Sequence, residues 1–65
     1  MNEFGLRILV VDDERAIRRY LRAALNAQGN IISEAANGEE ALRAAALDRP
    51  DLIILDLGLP DLDGI

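Results

Sequence analysis

The chain has 65 residues, 51% of them apolar and 29% charged, with a formal net charge of −5, which is room for one small domain with a core of its own. It contains no cysteine and no histidine, which excludes disulfide staples and the usual zinc ligands and leaves oxygen donors suited to magnesium or calcium. The acidic balance argues against direct contact with nucleic acid or an anionic membrane, and no apolar run approaches the ~18 residues of a membrane span, so a cytoplasmic location is expected.

Leu6 to Val11 is almost wholly apolar and partly β-branched, and the pair Asp12-Asp13 closes it, which predicts a strand buried on both faces. From Glu14 to Gln28 the positions Ile17, Tyr20, Leu21, Ala24 and Leu25 recur at helical spacing, and Gly29 supplies the stop. The arginines 15, 18, 19 and 22 fall mainly elsewhere and read as a solvated face. Asn30 to Ala35 mixes Ile31 and Ile32 with Ser33 and Glu34, as suits an edge strand. Asn37 with Glu40 three residues on has the form of a capping box, and the alanine-rich stretch after it predicts a helix ending near Asp48, before Pro50. Leu52 to Leu55 is a second all-apolar strand, ended by Asp56 and a loop containing Gly58, Pro60 and Gly64.

The pattern βαβαβ implies an α/β fold with a parallel sheet, because each return to a parallel strand needs a crossover. Burial places the two all-apolar strands side by side in the order 2-1-3, and right-handed crossovers in opposite directions put the helices on opposite faces. Strand one is then the topological switch point, beyond whose carboxyl end ligands bind in open sheets. Asp12, Asp13 and Asp56 all fall there. At an effective dielectric of ~20, two unit charges about 4 Å apart repel by roughly 4 kcal/mol, so such a cluster calls for protons or a cation. Magnesium, which keeps open positions for substrate oxygens, fits better than calcium. Taken singly, Asp12 or Asp13 also reads as a helix cap or turn residue, and Asp56 as a solvated strand end.

The segments ILVVDDE (8–14), NGEEAL (37–42) and PDLIILDLGLPDLDGI (50–65) resemble bacterial two-component response-regulator receiver domains over nearly the whole chain. IRRYLRAAL and LGLPD are most similar to receivers with winged-helix outputs, particularly potassium-responsive Kdp-type regulators. The resemblance implies a flavodoxin-like doubly wound sheet of which residues 1–65 form one half. It implies that Asp56 accepts a phosphoryl group from the phosphohistidine of a sensor histidine kinase. Asp13 would bind Mg2+ directly, Asp12 through a water, and Asp56 and the Gly58 carbonyl would complete the protein ligands. Self-phosphorylation on Asp56 is the most enzyme-like activity expected, with no turnover.

The family also uses a hydroxyl residue and a lysine from later strands, and these 65 residues contain no lysine and no threonine. The chain reads as cut after a loop signal, which leaves strand three without cover on one edge. A homodimer joined near strand three is therefore expected. The competing readings are a folded or engineered half-domain that self-assembles without signalling, and a magnesium-dependent phosphatase or nucleotide hydrolase. The last lacks a Gly-rich loop ending in Gly-Lys-Ser/Thr and the spaced aspartate pair of those phosphatases.

Overall fold

The run of apolar residues after Gly5 becomes the middle strand of a parallel sheet. In the computed structural model, which describes residues 5–55, the elements are β1 (Arg7–Val11), α1 (Arg15–Asn26), β2 (Ile31–Ala35), α2 (Gly38–Asp48) and β3 (Leu52–Leu55). The strand order is β2-β1-β3, and both pairings are parallel. Val11 lies beside Ala35 on one side and Leu55 on the other, so all three strands end level at their carboxyl edge.

Alternation along the strands assigns the faces. Leu9, Val11 and Ala35 form a buried cluster covered by Ala41, Ala44 and Ala45 of α2. Alanine leaves nothing beyond a methyl group between helix axis and sheet, and it has the highest helix propensity. Ile8 and Val10, also buried, point the other way, as does Glu34, which α1 grips through Arg18 and Arg22. The two helices thus occupy opposite faces, as the crossover argument requires.

Caps set the boundaries of α2. The Asn37 side chain accepts from the Glu40 N–H at 2.8 Å, and Glu40 reaches back one residue beyond the usual box to accept from the Ala36 N–H at 2.8 Å. At the far end Arg49 adopts a left-handed conformation, φ 50°, and its N–H bonds to the Ala45 carbonyl. Pro50 disfavours the helical conformation for the residue before it, which fixes the stop there.

At the opposite edge of the sheet the start of β1 is stitched to both neighbouring connections. The Leu6 N–H donates to Asn30 Oδ1 and the Arg7 N–H to Asp51 Oδ2, each at 2.9 Å. Arg7 Nη1 donates to the Asp48 carbonyl at 3.0 Å, a cation on the negative end of α2. Leu6 and Asn30 therefore lie outside the strands expected to contain them: β1 begins at Arg7 and β2 at Ile31, because the Asn30 side chain occupies the junction.

Two expectations about α1 need correction. The helix spans Arg15–Asn26, shorter at each end than Glu14 to Gln28. Tyr20 is 70% exposed, and Ala24 faces solvent as well. The stripe that meets the sheet is Ile17, Leu21 and Leu25, all half-buried. Among the described residues neither helix contacts β3, so α1 needs only that narrow stripe. On β3, Leu52, Ile53 and Leu55 are 45–57% exposed.

Candidate functional site

The carboxyl edge of the sheet carries the acidic pair. Asp12 follows the last residue of β1, and its N–H extends the ladder to the Ala35 carbonyl at 3.1 Å. Its side chain is buried, with the residue only 4% exposed. Oδ1 accepts from the Glu14 N–H at 2.8 Å, an Asx-type turn that swings the chain out of the strand and into α1. Oδ2 is buried and has no hydrogen-bond partner among the described residues. Asp13, the next residue, is exposed.

Asp13 does not cap α1, contrary to the single-residue alternative raised above. Glu14 holds the N-cap position in extended geometry and makes no side-chain cap bond. The turn instead takes its side-chain bond from Asp12, so neither acid of the pair is consumed in satisfying the first N–H groups of the helix.

A second set of charges supports this turn from below. Arg18 Nη1 donates to the Asp12 main-chain carbonyl at 2.8 Å while its Nε donates to Glu34 Oε1 at 3.2 Å. Arg22 Nη1 takes the other Glu34 oxygen at 3.0 Å. Partial burial raises the Glu34 carboxyl, and hydrogen bonds from Arg22 and Arg18, with their charges, more than reverse this and hold it below its ordinary value. Sequence reasoning missed this network by assigning the arginines of helix one to a solvated face. The signal was available in Glu34, a lone acid within a strand one face of which meets that helix.

Asp56 and Gly58 lie outside the described residues. Leu55, immediately before Asp56 in sequence, pairs with Val11, immediately before Asp12. Among the described residues no three acidic side chains gather closely enough to hold a metal ion, so Asp12 and Asp13 would need a further contributor. The donor chemistry fits a hard divalent cation: a buried carboxylate oxygen without a partner is costly unless something positive meets it.

Comparison with known proteins decides the family. The model of the response regulator receiver domain matches residues 8–65. The chain belongs to the response-regulator receiver family. Among curated proteins it is 57% identical over 58 residues to the KDP operon transcriptional regulatory protein KdpE of Escherichia coli (strain K12), covering 89% of this chain and 26% of that protein. Response regulator MprA of Mycolicibacterium vanbaalenii is 50% identical over 60 residues, 92% of this chain and 26% of that protein. MprA of Mycobacterium tuberculosis (strain CDC 1551 / Oshkosh) is 50% identical over 61 residues, 94% of the chain and 26% of that protein. The chain thus spans about a quarter of the length of the curated relatives it matches. Among the described residues no helix is long and apolar enough to cross a membrane.

Proposed function

We propose that this chain is a phosphoacceptor unit of two-component signalling, in which Asp56 attacks the phosphorus of a sensor kinase's phosphohistidine. The P–N bond breaks, a P–O bond forms to the carboxylate, and the imidazole nitrogen keeps the electron pair. The product is an aspartyl phosphate. Asp12, Asp13, Asp56 and the Gly58 carbonyl are the proposed holders of Mg2+, which would neutralise the charge between carboxylate and phosphate. Membership of the receiver family supports the kinase as partner. The observation that carries the metal reading is the buried Oδ2 of Asp12 at the carboxyl end of the central strand, which has no hydrogen-bond partner among the described residues.

The cytoplasm is the proposed compartment, and the net charge of −5 supports an absence of direct nucleic-acid contact. Residues 1–65 contain no lysine or threonine, so phosphorylation of this chain by itself is proposed to be slow. The half-exposed Leu52, Ile53 and Leu55 support a homodimer joined along β3. Light scattering after size exclusion that returned only monomer would remove the dimer.

The test of the main reading is a Mg2+ titration of the wild type and Asp56→Ala, with intact mass measured after exposure to a small phosphodonor. Saturable binding and one added phosphoryl group, both lost or weakened in the variant, are expected. Binding without phosphate uptake would favour the self-assembling half-domain. An absence of Mg2+ binding would end the proposal.

A further inference from the structure

We propose that Arg18 is a positioning residue for the acidic pair: its guanidinium locks the peptide joining Asp12 to Asp13, and Glu34 holds the guanidinium in place. The inference rests on the reading of Asp12 and Asp13 as metal-holding residues. Asp12 is fixed by its N–H on the Ala35 carbonyl at 3.1 Å and by its Oδ1 on the Glu14 N–H at 2.8 Å. The second of these closes a turn across the following peptide, but neither falls on that peptide's own carbonyl oxygen. That oxygen is the remaining handle, and Arg18 Nη1 holds it at 2.8 Å.

A peptide unit is planar, so the Asp12 carbonyl and the Asp13 N–H turn together. Rocking that plane would swing the exposed Asp13 carboxylate away from the direction of Asp12. A guanidinium is suited to prevent this because its donors diverge from a rigid plane: Nε is spent on Glu34 at 3.2 Å while Nη1 serves the carbonyl. The Arg18 side chain is only 16% exposed and Glu34 22%, so the pair is sheltered from water and its geometry is well defined. Arg22 occupies the second Glu34 oxygen at 3.0 Å, which stops the carboxylate from rotating out of the Arg18 fork. A lysine at position 18 has one compact ammonium and no fork, so it can meet the carbonyl or the carboxylate without fixing the plane between them.

The test uses the 15N-labelled chain, the variants Arg18→Lys and Glu34→Gln, and two readings on the same amides. Without metal, the Asp13 amide of the wild type should be as ordered as the strand amides, with an order parameter near ~0.85, and fall below ~0.6 in Arg18→Lys while Val10 is unchanged. Titrated with MgCl2, Arg18→Lys should bind about tenfold more weakly than the wild type, the scale of lost outer-shell support. Glu34→Gln should shift both readings in the same direction but less, and it carries the test if Arg18→Lys does not fold. Unchanged Asp13 order in both variants overturns the locking. Lost order with unchanged affinity overturns the positioning role. A wild type that does not respond to Mg2+ refutes the metal reading, while the metal-free amide measurement still decides whether Arg18 locks the peptide.

Discussion

Replacing Asp12 by asparagine separates what the carboxylate does for the fold from what it does for a cation. Asp12 is only 4% exposed, and one of its two carboxylate oxygens has no partner among the described residues. An unsatisfied buried acceptor costs about 1–3 kcal/mol, more when charged. Asp12→Asn keeps the oxygen that accepts from the Glu14 N–H and replaces the orphan by a neutral amide. In the absence of divalent ions the variant should therefore be more stable than the wild type by ~1 kcal/mol. Added Mg2+ should reverse the order. For a dissociation constant of about 1 mM, about 10 mM Mg2+ stabilises the wild type by ~1.4 kcal/mol, which for a chain of this size is a rise of roughly 6–11 °C in melting midpoint. Thermal melts followed by circular dichroism, in EDTA and in MgCl2, measure all four states. Equal responses of wild type and variant to Mg2+, or a variant less stable than the wild type in EDTA, would refute the reasoning.

Leu9→Ala opens a cavity in the buried layer between α2 and the sheet. It should cost ~2–5 kcal/mol in urea denaturation, against less than about 0.5 kcal/mol for Leu42→Ala at a position 76% exposed. A Cβ on Gly5 would stand 1.9 Å from the Gly29 carbonyl oxygen, whereas one on Gly38 meets nothing within 4 Å. Gly5→Ala should thus lower the melting midpoint, while Gly38→Ala should raise stability by ~0.4–1 kcal/mol. Glu34, held below its ordinary value of 4.5, stabilises the fold fully above that pH and loses its contribution as the pH falls through its folded value. The stability gap between wild type and Glu34→Gln should be flat near neutrality and shrink below about pH 4.5, as urea midpoints across an acid series would show.

The elements were legible because their signals are local and redundant. Two apolar runs, a capping box and a proline placed β1, β3 and α2 within a residue or so of where they lie, and parallel connectivity followed from burial. Tyr20 was misplaced because helical periodicity does not reveal how wide a surface awaits the helix; the sheet offers room only for Ile17, Leu21 and Leu25. The junction of Asp12 and Asp13 with the carboxyl edge was legible from strand termination alone. Their division into one buried and one exposed acid was not, since it depends on the turn bond from Asp12 to the Glu14 N–H. The bond between Arg18 and Glu34 was hidden for a similar reason, since it joins residues 16 apart across helix and strand, and only the lone acid within β2 pointed to it. No spacing rule covers such a contact.

The central position of β1 has a cost during synthesis. The strand leaves the ribosome before the other two strands, and the residues that tie down its start are made 24 and 44 positions later. Until the second and third strands emerge, the apolar segment Ile8 to Val11, buried in the finished fold, has neither ladder nor cover. A nascent receiver should therefore be a target for chaperones early in translation, and become refractory to them only once the residues of β3 have cleared the exit tunnel.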